Sequence, residues 1–389
     1  MNIREIYKIA DSKESYNKEE LLKIVQDTSQ KFTGKRFKDR IPTNNCHNRI
    51  TILFPIYNEE DFLKYSLTSF FESYAFGGTS YQVVFFLNSC TDNSMQETTR
   101  VLNNYKTITR EEFNLEQYKT LGDPGLNKKF LYAKDSNAYY YILDSKTKGR
   151  VNALRVATTL ANMNNSQIII SFDSDFILDP LAIYTLSKES LHHIAQRHET
   201  VAITGSPIVV NKDKGGLIEK FLRDHLVWAD QKYNSLSGCC LVLDTAWLSK
   251  NLENNIIEDY TLGVKVRSQG YKVLRIDNAR MWGYRTNYKD DIKQLTRSIK
   301  GRYQLLQAHP EFSTIVISDH FFMRSFPKRI SYIIKAILEN PKSVLKWCWT
   351  FLFVEICINH ARKEFELSPQ NIDRKSTRLN SSHESSSRM

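Results

Sequence analysis

Short apolar runs recur along this chain, each followed by a polar turn and then by apolar positions at helical spacing. Residues 50–56 (ITILFPI), 82–87 (QVVFFL), 139–143 (YYYIL) and 168–172 (IIISF) are runs of this kind, as are 201–205, 237–243 and 271–276. Runs this short, rich in β-branched and aromatic residues and bounded by turn residues, predict buried strands. Pro55, which has no N–H to give a ladder, is expected to end the first. Between them, Phe62, Leu63, Leu67, Phe70 and Phe71 mark a helix, with Asn58 as its expected N-cap and Glu59, Glu60 and Asp61 at its positive start. A further helix is expected after the polar turn 88–94. Others carry Val151, Leu154 and Ala157, span 181–197, and run over 260–269 to a stop at Gly270. Strands alternating with helices in this way predict an α/β domain, a mixed but mostly parallel sheet flanked by helices.

The pattern weakens at both ends. Residues 1–45 are polar, with helical spacing only around Leu21, Leu22 and Val25, and read as a helical extension. The stretch 102–137 is polar and holds a Gly-Asp-Pro-Gly turn signal at 122–125. Residues 215–233 read as a helix of mixed character. The α/β domain is assigned to 46–305 and a C-terminal helical region to 306–372. Residues 373–389 are Ser/Arg-rich without periodicity and include RKSTRLNSSH, which resembles a translated adapter or vector scar; they are set aside from fold reasoning.

Composition narrows the partners. The 389 residues are 41% hydrophobic and 25% charged, as a packed globular protein requires, and carry a net charge of +11. A basic surface favours anionic partners, but no nucleic-acid motif accompanies it, so nucleic acid is not expected. The six cysteines show no metal-type spacing, and Cys239 and Cys240 are neighbours that cannot easily pair with each other, which fits a reduced, cytoplasmic setting. Neither an apolar signal segment nor a membrane-spanning run stands out. Residues 328–358 include VLKWCWTFLFVEICI, interrupted by Lys346 and Glu355. It either lies in a membrane interface, with Trp347 and Trp349 at headgroup level, or packs on the catalytic domain or in a dimer.

The chemistry starts at Asp173-Ser174-Asp175, after the Ile run. Side chains two apart on a strand share a face, so both carboxylates can converge just past the strand's C-terminal end, where open α/β sheets place ligands. Two hard oxygen donors there suit a divalent cation whose shell is completed by a diphosphate and water. Lys148 and Arg150 at a helix start oppose its dipole and call for an anion, either a phosphate or a neighbouring carboxylate. The order ITILFPIYNEEDFL, VVFFLNSCTDNS, KGRVNAL, IIISFDSDFILDP, SLSGCCLVL, IIEDYTLGVKVRSQGYKV and QLTRSIKGRY resembles the family 2 glycosyltransferases, over roughly residues 50–303.

That resemblance implies the GT-A fold and inverting transfer of a sugar from a UDP- or GDP-sugar to an acceptor hydroxyl on a glycan, lipid or small molecule, dependent on Mg2+ or Mn2+ and set in the cytoplasm or at the inner face of a membrane. It makes Asp259, beside Glu258, the catalytic base, and Asp175 the metal ligand, with Asp173 on the metal or the ribose. Pro55, Tyr57, Glu59 and Asn88 would frame the nucleoside, Asn88 standing where many relatives have an Asp. Lys148 and Arg150 would face the phosphates, and Gly238 the donor sugar. Gln294 and Arg297 stand where the family often shows Gln-x-x-Arg-Trp, with Ser298 in place of Trp; the 281–284 stretch lacks the His that some members add to the metal. Two other readings use the same residues: a non-catalytic sugar-nucleotide or partner-binding protein, and a sugar nucleotidyltransferase, which would need a Gly-rich basic loop that FPIYNEEDF does not offer.

Overall fold

The computed structural model describes residues 17–29, 36–39, 48–105, 109–114, 125–126, 129–135, 138–210, 236–284, 288–319, 323–339, 341 and 344–366. The expected helix at 215–233, the turn at 122–124, the tail at 373–389 and most of 1–45 lie outside them. The chain forms two compact units. The first comprises Met1–Asp213, Asn234–Asn254 and Glu258–Arg285, the second Lys214–Tyr233, Asn255–Ile257 and Thr286–Met389.

In the first unit α1 (Lys18–Ser29) precedes β1 (Asn48–Ile56), α2 (Glu60–Glu72), β2 (Thr79–Asn88), α3 (Ser94–Tyr105), β3 (Thr109–Asn114), β4 (Lys129–Asp135) and β5 (Ala138–Ser145). There follow α4 (Arg150–Met163), β6 (Ile168–Phe172), β7 (Phe176–Leu178), α5 (Ala182–Ser190), β8 (Ala202–Val210), β9 (Cys240–Asp244), α6 (Thr245–Asn251), α7 (Glu258–Ser268) and β10 (Leu274–Tyr284). The strands make one mixed sheet in the order β3-β4-β5-β2-β1-β6-β9-β8-β10-β7. Its centre, β5-β2-β1-β6, is parallel, and its longest ladders, β1–β2, β2–β5 and β8–β10, are parallel too. β9 enters antiparallel between β6 and β8.

The central strands are almost entirely hydrophobic, Thr51, Gln82 and Ser171 apart, because both sheet faces are covered. Ile50, Ile52, Phe54 and Ile56, with Val83 and Phe85, point to one face and pack on Leu63, Leu67, Phe70 and Phe71 of α2 and Ile183 and Leu186 of α5. Leu53, Val84 and Phe86 point to the other and pack on Ala153, Leu154, Ala157 and Leu160 of α4. The period-two alternation thus divides one apolar run between two cores.

The structure corrects several local expectations. β1 continues through Pro55 to Ile56, with Pro55 opposite Phe86. Its ladder to β6 has already stopped at the Leu53–Ser171 pair, and the Pro55 carbonyl turns to that side to accept from Ser174 Oγ at 3.1 Å, so the missing N–H leaves no gap. Asn58 does not cap α2. Glu59 holds that position, while Asn58 adopts a φ of 53° and spends its side-chain oxygen on Thr91 N at 2.8 Å. The 181–197 helix is α5 followed by a π-helical turn, Leu191–Gln196. The strand expected at 271–276 starts at Leu274 and continues through 281–284, which pairs with both β7 and β8 after a register shift between Arg275 and Arg280. Two strands, β3 and β4, arise in the polar stretch 102–137, and the short β7 was also not foreseen.

In the second unit α8 (Tyr288–Ala308) is followed by α9 (Ser313–Asp319), α10 (Phe326–Glu339) and α11 (Val344–Glu366). Its core is Leu295 and Ile299 of α8 against Phe353, Val354, Cys357, Ile358 and Ala361 of α11.

Asp179, directly after β7, forms a buried Asx turn, accepting from Leu181 N at 2.8 Å just before α5. Burial pushes its carboxyl up to about 7, and the Arg280 charge only partly offsets this. A carboxyl raised in the folded state binds its proton more tightly than the unfolded chain does, so stability falls as pH rises from the ordinary Asp range to about 7 and stays lower above it. Asp179→Asn keeps the acceptor and removes the charge. It is expected to raise the unfolding midpoint at pH 8 and to change it little near pH 5, as thermal melts at the two pH values would read; equal effects at both would refute the burial argument.

Candidate functional site

The C-terminal ends of β1, β2, β5 and β6 lie side by side, and the loops leaving them carry most of the expected residues. Asp173 follows β6 directly. Its N–H donates to the Cys239 carbonyl at 3.1 Å, one step beyond the Phe172–Cys240 pair of the β6–β9 ladder. The antiparallel entry of β9 therefore sets the Ser237-Gly238-Cys239 turn beside the Asp173-Ser174-Asp175 segment. Ser174 is buried and tied to β1 through Pro55, which leaves Asp175 exposed at the rim.

Arg150, the first residue of α4, is the hub. Its Nη1 lies 2.8 Å from Asp173 Oδ1 and its Nε 3.3 Å from Glu258 Oε1; its Nη2 reaches Ser171 Oγ at 3.3 Å and donates to the Gly238 carbonyl. The preceding Gly149 has a φ of 119°, a backbone state open to glycine, and this turn aims the guanidinium back under the strand ends. Of the two expectations for the cationic helix start, the carboxylate partner is the one observed for Arg150. Lys148 stays exposed, its ammonium 5.5 Å from the centre of the Tyr57 ring.

Glu258 and Asp259 open α7, where acids suit the helix dipole. Glu258 is buried against Arg150. Asp259 is half-buried, its Oδ1 accepting its neighbour Tyr260 N at 2.7 Å. Gly238 is packed against it: a Cβ at 238 would stand 2.8 Å from Asp259 Oδ2 and 3.1 Å from Arg150 Nη1. Asp173, Asp175, Glu258, Asp259, Arg150 and Gly238 are thus brought together from four separate parts of the sequence. Glu59, half-buried after β1, completes the acidic side. Its carboxyl is pushed up to about 7, first by burial and then by the charges of Asp175 and Asp173. Burial also raises Asp173, with Asp175, Glu258 and Asp259 adding to the rise and Arg150 opposing it.

Asn88 ends β2, buried, and its side-chain oxygen has no hydrogen-bond partner among the described residues. The loop after it is stapled to the start of α2: Glu59 N donates to Ser94 Oγ at 2.9 Å, Glu60 N to Asp92 Oδ2 at 3.1 Å, and Asn93 N to Glu60 Oε2 at 2.7 Å. This staple, and Ser171 as a partner of Arg150, were not singled out from sequence; the Ser and Asp in CTDNS are the only signal. Gln294 and Arg297 belong to the other compact unit. They lie on α8, Gln294 exposed and Arg297 donating to the Ile256 carbonyl at 3.2 and 3.0 Å.

Among the described residues no group of three His, Cys, Asp or Glu stands ready to hold a metal alone. Asp173 and Asp175 nevertheless offer hard oxygens in a spot where carboxylates crowd and repel. A divalent cation that brings its own phosphate oxygens fits that donor set.

No protein-family model matches the chain, and no curated protein matches it. Solved structures do. A mannosyltransferase from Pyrobaculum calidifontis in complex with GDP-Man and Mn2+ matches with a TM-score of 0.51 at 12% identity, over 88% of this chain and 92% of that one. Also similar are TarS from S. aureus in complex with UDP-GlcNAc, with a TM-score of 0.40 at 12% identity over 81% and 92% of the two chains, and glucosyl-3-phosphoglycerate synthase from Mycobacterium tuberculosis with Mn2+, UDP-Glc and phosphoglyceric acid, with a TM-score of 0.40 at 12% identity over 67% and 79%. The first of these establishes the fold as GT-A, as the resemblance implied.

Arg150 holds two acids that would otherwise repel at close quarters. Arg150→Ala is expected to cost about 3 kcal/mol of stability, since removing one partner of a buried ion pair leaves charge uncompensated, and Arg150→Lys to recover part of it. Chemical denaturation reads both; an Arg150→Ala midpoint equal to the parent's would show the pair to be inert.

Proposed function

We propose that this protein is a metal-dependent inverting glycosyltransferase of the family 2 type, which moves a sugar from a UDP- or GDP-sugar to an acceptor hydroxyl in cell-surface glycan or glycolipid synthesis. The observation that carries this reading is the gathering of Asp259 with Asp173 and Asp175 around Arg150 and Gly238 at the strand ends of a GT-A fold. The GDP-Man and Mn2+ bound by the similar mannosyltransferase agree with it in kind.

In this reading Asp173 and Asp175 hold Mg2+ or Mn2+, which when bound neutralises charge on the donor diphosphate. Pro55, Tyr57, Glu59 and Asn88 frame the nucleoside, and Asn88 has an acceptor to spare for an N–H of the base. Lys148, exposed above Tyr57, is a cation placed to reach a phosphate, while Arg150 positions Asp173 and Glu258. Asp259 takes the proton of the acceptor hydroxyl as that oxygen attacks the anomeric carbon on the face opposite the leaving nucleoside diphosphate; one bond forms as the other breaks, and the anomeric configuration inverts. Gly238 leaves Asp259 the space a side chain would fill. Glu258, buried on Arg150, serves as a positioning residue.

Incubation with a panel of UDP- and GDP-sugars and Mn2+ is expected to release nucleoside diphosphate from one donor, slowly without acceptor. Asp259→Asn should bind that donor with unchanged affinity and lose about 10²–10⁴-fold in turnover, the usual worth of a general base. Asp175→Ala should lose the Mn2+-dependent part of donor binding. Donor binding without turnover by the parent protein under every acceptor tried would favour the non-catalytic binding role, and normal turnover by Asp259→Asn would remove it as the base.

A further inference from the structure

The second unit carries an apolar face that its own core does not use. α10 and α11, joined by only residues 340–343, pack against each other: Phe326 lies on Phe351 and Tyr332 on Trp347, with ring centres 5.7 and 5.8 Å apart, an order that makes the helices antiparallel. Buried Arg329 locks them through Glu355, its Nε and Nη2 donating to the two carboxylate oxygens at 2.7 and 2.9 Å. α11 spends Phe353, Val354, Cys357, Ile358 and Ala361 on α8. Leu345, Trp349, Leu352 and Ile356 recur at helical spacing on its opposite side and are exposed, as are Ile330, Ile334 and Leu338 of α10. At about 100° per residue, and with the helices antiparallel, both stripes fall on the side of the hairpin away from α8. Leu338 and Leu345, near the hairpin's tip, are 75% and 70% exposed.

Charge decides what could cover this face. Residues 324–366 contain eight Lys or Arg (324, 328, 329, 335, 342, 346, 362, 363) against four acids, Glu339, Glu355, Glu364 and Glu366, of which Glu355 is already paired with Arg329 and Glu364 with Lys300 of α8, so an excess of cations remains. Lys328 and Lys335 are exposed on the polar flank of α10, and Arg362 and Lys363 on the last turns of α11. A second copy of the same face would bring like charges together. A surface apolar in depth and anionic at its rim complements it. Among the described residues no helix is long and apolar enough to cross a membrane, so the geometry is that of a hairpin lying along one.

We propose that the α10–α11 hairpin docks the protein on an anionic lipid surface, with Leu345, Trp349, Leu352, Ile356, Ile334 and Leu338 in the headgroup–acyl boundary and the Lys and Arg of the flank on the lipid phosphates. This is independent of the sugar-transfer reading and would hold for a non-catalytic protein. The test is flotation of the full chain with phosphatidylcholine vesicles, with and without phosphatidylglycerol, at low and high salt. Flotation is expected only with the anionic vesicles and to fall with salt. Lys328→Gln with Lys335→Gln should weaken it about 25-fold, about fivefold for each cation removed near the surface. Leu345→Glu with Leu352→Glu should abolish it, with helix content by circular dichroism unchanged; should that pair fail to fold, the lysine pair, on exposed positions, carries the test. No flotation on anionic vesicles, flotation indifferent to the lysine pair, or a concentration-dependent dimer that the leucine pair dissociates would each overturn the assignment, the last by making the face a contact between copies.

Discussion

The guanidinium of Arg150 is what allows the strand ends of the first unit to be acidic at all. Asp173 and Glu258 come from distant parts of the chain, and each would meet the other's charge at low dielectric without it. A lysine could neutralise one of them. The planar fork of arginine reaches both, and its remaining hydrogens go to Ser171 and the Gly238 carbonyl. The cost of burying it is offset by four partners, two of them charged, and the geometry it fixes is that of the whole site.

That hub depends in turn on the sheet. β6 is central and parallel to β1, so its C-terminal end opens on the same edge as those of β1, β2 and β5. β9 arrives antiparallel, so the turn that precedes it, rather than one that follows it, lies against the end of β6. This is why Gly238 meets Asp173 and not the opposite edge. α7 then presents its acidic N-terminus to the same place, with Asp259 against the one residue in that turn that lacks a side chain. An inserted methyl group at 238 would have to move a carboxylate or a guanidinium.

The central strands were legible because a strand covered on both faces must be mostly apolar, and 50–56, 82–87 and 168–172 are, with the buried Thr51, Gln82 and Ser171 finding hydrogen-bond partners. β3 and β4 were not, because strands at the end of a sheet carry no such demand and their stretch is polar. β7 has three residues, too few for any period. Pro55 misled because a sequence does not say on which side a ladder stops. Asn58 and Glu59 exchanged capping roles because Thr91, far along the chain, claims the Asn58 side chain. The acids themselves were visible as candidates one by one. That Arg150 answers Asp173 and Glu258 was written nowhere local: a cation at a helix start announces an unmet need for an anion, and only packing says which anion meets it.

The electrostatic balance of the site bears on what can enter it. The chain as a whole carries +11, yet among the described residues Glu59, Asp173, Asp175, Glu258 and Asp259 face a single arginine, with Lys148 standing off on Tyr57. The elevated carboxyls of Glu59 and Asp173 are the mark of that imbalance: the site lowers its own charge by holding protons where ordinary carboxyls would have none. A diphosphate arriving alone would meet net repulsion there, however basic the surface that steered it in. A divalent cation changes the sign of that encounter, because it takes the place of the protons and then presents positive charge to the phosphate. The proposed metal dependence therefore follows from the ratio of acids to bases at the strand ends, and not only from the presence of two aspartates in one short motif.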